Sequence, residues 1–376
     1  MAIRNISILI GTRPEAIKLM PLIKTLQKTE MNTRVLITGQ HRELLLPILS
    51  ELDVSWTENM ELMQENQSLT ELSARILVSM AGVLKRHETD LLIVQGDTTS
   101  AAMSALACFY AGVKVAHVEA GLRTYSMRNP FPEEANRRML ACLADIHFPP
   151  TTGARDNLLN EGIDPAQIHM VGNTVVDALY MARDLLLPEL TPDAEIEKTL
   201  SEGREIILVT GHRRESFGAD FESICRGLRD IAEAFSGKVE IIYPMHLNPN
   251  VREKVVPMLS SVPNIRLIEP LSYLRFIEAM LKAKFIITDS GGVQEEAAAL
   301  GIPVLVTRRT CERAEAVKAG VSQLVGPCRD KIFKAADELL TDSAAYVGRA
   351  RPTDVFGDGH AAERIAEVLM KYDNDN

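Results

Sequence analysis

Two doubly wound α/β domains facing a cleft are the fold the sequence predicts, and three observations predict it. Apolar runs of strand length alternate with segments at helical spacing along nearly the whole chain. Those runs are too uniformly apolar to have a wet face, which assigns them to parallel sheets covered on both sides. The 376 residues also exceed what one ordinary core organises. Each domain is therefore expected to be Rossmann-like.

In order, 6–10 reads as a strand and 14–27 as a helix, with Pro14 placed as a first helical residue. Strand 33–38 and a helix near 42–52 follow, then helix Leu69–Arg86, strand Leu91–Gln95, helix 98–111 and strand Lys114–Val118. Helix Glu133–Leu143, strand Ile146–Phe148, helix Thr152–Asn160 and a strand at 168–171 close the half. The stretch 186–204, with Pro188, Pro192 and a charged run, reads as connecting and surface material.

A second series alternates strand and helix: Glu205–Thr210, 221–235, 240–243, 251–258, Ile265–Ile268 and Tyr273–Lys282. Strand 285–288 and helix 293–300 come next, then strand 303–306 and helices 315–319 and 331–341. After an irregular 351–359, an amphipathic helix runs to about 372. The expected domains are 1–172 and 173–357.

Near-average apolar and charged content indicates a globular protein, and the net charge of -10 argues against a nucleic-acid or anionic-membrane surface. Any anion must then meet a local basic cluster. Five cysteines, Cys108, Cys142, Cys225, Cys311 and Cys328, form no CxxC pair, so reduced thiols in a cytoplasm are expected. The first residues run into a strand without a basic n-region or long apolar span, and neither secretion nor membrane insertion is expected.

In open sheets of this kind ligands bind beyond the carboxyl ends of the strands. After strand 285–288, Ser290-Gly291-Gly292 leads straight into a helix. The first N–H groups of that helix would face a phosphate or pyrophosphate, and Glu296, one turn on, could accept ribose hydroxyls. The same stretch also fits an ordinary βα turn with a dipole-matched glutamate. Arg13 and Lys18 follow the first strand and could meet a phosphate, though single surface cations are usually just solvated.

Asp97, after Leu91–Gln95, is either a helix cap or a functional carboxylate. Glu119 ends a buried strand, a position of partial desolvation usually kept for chemistry. Glu133 and Glu134 open a helix after Pro130 and Pro132, where glutamates normally just complement the dipole. His212-Arg213-Arg214 supplies a cationic loop, His246 follows another strand, and Arg308, Arg309 and Arg313 could close over a diphosphate.

Several motifs fail on inspection. Gly357-Asp358-Gly359-His360-Ala361-Ala362 fits GxGxxA, but no strand precedes it and no βαβ unit can follow, so a nicotinamide site is rejected. His117-Val118-Glu119 has no PCxxC to accompany it, which excludes a zinc deaminase. Neither GxSxG nor GxxxxGK[ST] occurs. No metal and no cofactor are expected.

Eight segments taken in register are more specific: GTRPEA at 11–16, QHRE at 40–43, GDTT at 96–99, HVEAGLRT at 117–124, PEEANRR at 132–138, GHRRES at 211–216, HLNPNVRE at 246–253 and DSGGVQEEA at 289–297. They closely resemble the non-hydrolysing UDP-N-acetylglucosamine 2-epimerases over nearly the whole chain. The resemblance implies a glycosyltransferase-B type of fold in which the final helix, 358–376, crosses back to join the first domain, a homodimer, and interconversion of UDP-N-acetylglucosamine and UDP-N-acetylmannosamine for bacterial cell-surface polysaccharide. It implies acid/base roles for Asp97, Glu119 and Glu133, with His212 supporting UDP departure. It places UDP on Arg13, Lys18, His212, Leu271, Phe276, Ser290, Gly291, Gly292, Glu296 and Arg313. A second UDP-N-acetylglucosamine, as allosteric activator, would involve Gln40, His41, Gln67, Arg213 and His246.

The chain departs from the family where members usually read RDTTERPE. It has Arg308-Arg309-Thr310-Cys311-Glu312-Arg313-Ala314-Glu315, which reverses a charge at Arg309 and removes a proline at Ala314. Two alternatives follow. One is a 2-epimerase of a modified UDP-sugar such as a diacetamido-uronate or a deoxysugar; the other is a non-catalytic nucleotide-sugar-binding regulator. A glycosyltransferase of the same fold would need an acceptor.

Overall fold

Strands buried along nearly their whole length need helices on both faces. Two such sheets form in this computed structural model, which describes residues 3–39, 42–62, 67–211, 219–245, 249–309 and 313–372. The first sheet holds, in spatial order, β3 (Glu58–Asn59), β2 (Asn32–Ile37), β1 (Asn5–Ile10), β4 (Leu91–Gln95), β5 (Lys114–Val118) and β6 (Ile146–Phe148), all parallel. The second holds β12 (Ser322–Leu324), β11 (Val304–Val306), β10 (Ala283–Thr288), β7 (Glu205–Thr210), β8 (Val239–Pro244) and β9 (Ile265–Ile268), again all parallel. Counted within its own sheet, each runs in the doubly wound order that reverses direction at its centre, between β1 and β4 and between β7 and β10.

The chain divides into two compact units, Met1–Tyr180 with Gly357–Asn376, and Met181–Phe356. Around the first sheet lie α1 (Arg13–Leu26), α2 (Arg42–Glu51), α3 (Leu69–Arg86), α4 (Thr99–Ala111), α5 (Glu133–Leu143), α6 (Thr152–Asn160), α7 (Thr174–Met181) and α16 (Ala361–Lys371). The second carries α8 (Ala194–Ser201), α9 (Ala219–Ala234), α10 (Pro249–Leu259), α11 (Tyr273–Lys282), α12 (Gly291–Leu300), α13 (Ala314–Lys318), α14 (Arg329–Thr341) and α15 (Ser343–Arg349). No described helix is long and apolar enough to cross a membrane. Cys108, Cys142, Cys225 and Cys328 are free thiols, and burial pushes the Cys108 and Cys225 thiols up to about 12.

Local chemistry explains the helix ends. Ser68 caps α3 in a capping box: its hydroxyl accepts from the Glu71 N–H (3.2 Å) and the Glu71 carboxylate accepts from the Ser68 N–H (2.8 Å). α4 and α12 stop at Gly112 and Gly301, both in the left-handed region that ends helices without a side-chain penalty.

Several stretches depart from the sequence reading. The strand expected at 168–171 is a single parallel bridge, Ile168 to His147, entered from a 3-10 turn at Pro165–Gln167. α7 went unread because Thr174 to Leu179 are all buried, which erases the one-sided apolar stripe that marks a helix. The 186–204 stretch is not merely connecting material: a π-helical turn at Ala182–Leu186 leads to α8, whose Ile196 is buried. The short β3, β12 and α15 also carried too little pattern to be read. The first unit extends to Tyr180 rather than stopping at 172, and contacts with α16 account for it.

α16 packs on α1, and the Ala362 N–H donates to Asp177 Oδ1 at 2.7 Å. Arg364 pairs with Asp358 and donates to the Val171 carbonyl at 3.0 Å. Burial pushes the Asp177 carboxyl up to about 6, against an ordinary 3.8. Between those values the folded chain holds a proton the unfolded chain has released, so stability falls as pH rises from about 4 to 6 and stays lower above. Asp177→Asn keeps the acceptor without the buried charge. It is expected to gain about 1–2 kcal/mol at pH 7, a gain that fades towards pH 4, read by thermal denaturation across that range.

Candidate active site

The reversal between β1 and β4 is where a doubly wound sheet offers its ligand crevice. Here the chain leaves β1 through Gly11 and Thr12 into α1. Glu15, three residues after Thr12, is buried and accepts from the Gly11 and Thr12 N–H groups, both at 2.6 Å, and from the Thr98 hydroxyl at 2.6 Å. It thereby ties the turn after β1 to the turn after β4. Burial raises the Glu15 carboxyl above its ordinary range despite those donors. Arg13 is half-buried at the first position of α1.

Lys18, one turn further on, forms an ion pair with Glu119 at the end of β5, and the side chains are only 14% and 7% exposed. Gln95, the last residue of β4, donates its amide to the same Glu119 oxygen. Lys18, read from sequence as able to meet a phosphate, is held here by a carboxylate. Glu119 itself has φ +63°, which a non-glycine residue adopts at a cost of order 1–3 kcal/mol. Backbone strain kept at a buried carboxylate is a functional signal. Gly121, two residues on, has φ +86°, and a Cβ there would sit 2.1 Å from the Ala154 carbonyl oxygen on α6.

Asp97 is not the cap of α4. That role belongs to Thr98, whose hydroxyl accepts from the Ala101 N–H at 3.1 Å. The Asp97 carboxylate instead receives Arg137 of α5 at 2.8 Å, and Asn136 donates to the Asp97 carbonyl at 2.9 Å. His117 lies beneath this turn, with Nε2 2.7 Å from the Gly96 carbonyl. A carbonyl only accepts, so Nε2 carries the proton. Burial pushes that imidazole down to about 3, leaving it a neutral strut at ordinary pH.

Glu133 opens α5 with Oε2 buried and unpartnered among the described residues, a lone pair left over for a ligand. Glu134 is no dipole decoration. Fully buried, it accepts the Thr124 and Tyr125 N–H groups at 3.0 Å each and pairs with Arg137 at 3.3 Å. The turns after β1, β4 and β5 and the start of α5 therefore form one hydrogen-bonded assembly around Asp97 and Glu119.

The second unit repeats the reversal between β7 and β10, where the Thr210 and Thr288 hydroxyls meet at 2.5 Å. Beyond β10, α12 begins at Gly291, two residues before the expected start, and Ser290 gives it no side-chain cap. Its first N–H groups are available to an anion. Arg313 reaches this turn: its Nη2 is 3.4 Å from where a Gly291 Cβ would lie, and its guanidinium pairs with the buried Glu295. A side chain at 291 would crowd that arginine, whereas the space over Gly292 is open. Glu296 is buried on the same helix, and Leu271 and Phe276 are half-buried just before and on α11.

Of the three arginines expected over a diphosphate, Arg313 lies beside the glycine turn. Arg309 is 75% exposed and forks onto Asp220 of α9 at 2.8 and 3.0 Å, which spends its charge on the protein itself. Gln67 is half-buried just before the cap of α3. Gln40, His41, His212, Arg213 and His246 lie outside the described residues. Sequence reasoning assigned no role to Glu15, Gln95 or Arg137. The Thr12-x-x-Glu15 spacing was a legible capping signature, whereas Gln95 and Arg137 act through tertiary contacts that no local pattern reveals.

Arg313→Gln removes the partner of a buried carboxylate and the cation at the glycine turn together. It is expected to weaken UDP binding by about 10–100-fold, the scale for losing a charge-assisted contact, measured by calorimetric titration with UDP.

Comparison with known proteins gives concordant results. The family model for UDP-N-acetylglucosamine 2-epimerase matches residues 24–370. The chain is 45% identical to the UDP-N-acetylglucosamine 2-epimerase of Campylobacter jejuni, covering 99% of both chains, and 45% identical to that of Escherichia coli K12, covering 96% of both. Among solved structures it is similar to the Neisseria meningitidis enzyme bound to UDP-GlcNAc, with TM-score 0.92, 40% identity and coverage of 98% and 100%. The Methanocaldococcus jannaschii enzyme in complex with UDP-GlcNAc and UDP gives TM-score 0.83 at 32% identity, with coverage of 98% and 100%. With the motifs, both sheets and these relatives agreeing along the chain, the protein belongs to the UDP-N-acetylglucosamine 2-epimerase family.

Proposed function

We propose that this protein interconverts UDP-N-acetylglucosamine and UDP-N-acetylmannosamine by inverting C2. The observation that carries this reading is Glu119, a buried carboxylate in a left-handed backbone, held by Lys18 and Gln95 beside the Asp97 turn. A protein that only bound a nucleotide sugar would have no use for that strain.

The C2 proton of the sugar is not adjacent to a carbonyl, so direct abstraction is too costly. Departure of UDP from C1 solves this. The C1–O bond breaks with its electron pair going to the diphosphate, a carboxylate takes the C2 proton, and a glycal forms. Re-addition of UDP to C1, with a proton delivered to C2 from the other face, gives the epimer. The anion is received by the α12 N-terminus and Arg313. Two carboxylates drawn from Asp97, Glu119 and Glu133 serve the two faces.

Proton NMR of the protein with UDP-N-acetylglucosamine alone tests the activity: signals of UDP-N-acetylmannosamine should grow to a constant ratio. Their absence over hours contradicts the reading. The Arg309–Asp220 pair, at a position where the family resemblance has an aspartate, favours as second reading a modified UDP-sugar substrate. Conversion of a deoxy-acetamido UDP-sugar with none of the parent compound would select it. We also infer a homodimer and an activating second UDP-N-acetylglucosamine, of whose expected contacts only Gln67 is described; sedimentation and a sigmoidal rate curve test these.

A further inference from the structure

Two helices of the first unit begin with the same local motif and use it differently. Glu71, three residues after the cap Ser68 of α3, is exposed and closes a capping box at the surface. Glu15, three residues after the cap Thr12 of α1, is only 3% exposed, and no lysine or arginine pairs with it among the described residues. Taking a carboxylate out of water without a counter-cation is costly, and a helix cap alone gives no reason to do so. The second carboxylate oxygen supplies one. Oε2 takes the Gly11 and Thr12 N–H groups, while Oε1 takes the hydroxyl of Thr98, a residue distant in sequence. Gly11 makes room for this approach, since a Cβ there would lie 3.0 Å from Glu15 Oε2.

Thr98 has one hydroxyl proton, and Glu15 Oε1 receives it at 2.6 Å. The same hydroxyl oxygen accepts the Ala101 N–H as the cap of α4, so its orientation is set from both sides. Asp97 is the residue before it. The backbone of that turn is also held by His117 at the Gly96 carbonyl, 2.7 Å, and by Asn136 at the Asp97 carbonyl, 2.9 Å. Of these three contacts, the one from Glu15 joins the Asp97 turn to α1, whose Lys18 pairs with Glu119. The placement of Asp97 relative to Lys18 and Glu119 therefore depends on it, and a misplacement of about 1 Å in reacting groups can cost about 10²-fold in rate.

We propose that Glu15 is a positioning residue for the proton transfer at C2: through the Thr98 hydroxyl it fixes the Asp97 carboxylate relative to Lys18 and Glu119, itself staying out of reach of the sugar nucleotide. This role rests on the epimerase reading and adds to it a residue that acts through another.

The test breaks the contact from either end and restores it conservatively. Thr98→Val removes the hydroxyl, and Glu15→Asp keeps the charge but is one methylene too short to span both turns. Loss of the α4 cap in Thr98→Val lowers stability, so turnover is expressed per UDP-binding site counted by calorimetric titration, a ratio that partial unfolding leaves unchanged. Both variants should lose about 10–100-fold in kcat per site while the Kd for UDP stays within about threefold of the parent. Thr98→Ser keeps the hydroxyl, and Glu15→Gln keeps an oxygen for the two N–H groups and offers its amide to Thr98 Oγ; both should stay within about threefold of the parent kcat. Parent turnover per site in Thr98→Val or Glu15→Asp overturns the proposal. So does a loss in Glu15→Gln as large as in Glu15→Asp, which would make the charge itself the agent. A parent protein that does not epimerise overturns the epimerase reading and this role with it, whereas an active parent with unaffected variants overturns this role alone.

Discussion

Glu119→Gln is expected to lower kcat by about 10²–10⁴-fold, the range for losing a positioned proton-transfer group, with UDP affinity unchanged or a few-fold tighter. The asymmetry follows from the ion pair. Glu119 holds Lys18 through a carboxylate charge, and the amide frees that lysine while keeping the hydrogen bond to Gln95 within reach. If Glu119 served only to park Lys18, the variant would change KM and spare kcat. Asp97→Asn should behave alike, since its oxygen can still accept from Arg137. Near-normal turnover in either variant removes that residue from the proton-transfer set.

Gly121→Ala is expected to cost more than ~3 kcal/mol and to abolish a normal unfolding transition at the native temperature. Two penalties coincide. The backbone at φ +86° disfavours any side chain, and the added carbon would lie 2.1 Å from the Ala154 carbonyl oxygen, closer than any non-bonded pair tolerates. Relief requires α6 to move away from the turn that carries Glu119, so residual folded protein should also lose turnover. A thermal midpoint within a degree or two of the parent would mean the 119–121 turn does not take this conformation.

The strands and most of the helices were legible because buried parallel strands write unbroken apolar runs, as β4 and β5 do, and the loops after them are where ligands gather. β5 stops at Val118, so Glu119 could be singled out from its place just beyond a buried strand. Asp97 could not be separated from a helix cap by sequence, since Thr98 beside it is an equally good cap and only the Ala101 hydrogen bond decides between them. Glu134 was read as dipole decoration because nothing local shows that the Thr124 and Tyr125 N–H groups fold back onto it. α7 disappeared for the opposite reason: with every face covered, it has no periodicity to read. Arg309 was expected at a diphosphate and is found on Asp220, a partner 89 residues away in sequence. What sequence supplied was strand ends and residue types; what it withheld was which charges neutralise one another.

The central claim is that a carboxylate of the first unit removes the hydrogen at C2 while UDP has left C1. The most direct measurement is incubation of the protein with UDP-N-acetylglucosamine in deuterium oxide, followed by mass and NMR analysis of both recovered sugars. One deuterium at C2 in UDP-N-acetylmannosamine, and its progressive appearance in the remaining substrate, is the predicted result. Epimer that retains its original hydrogen at C2 would contradict the account.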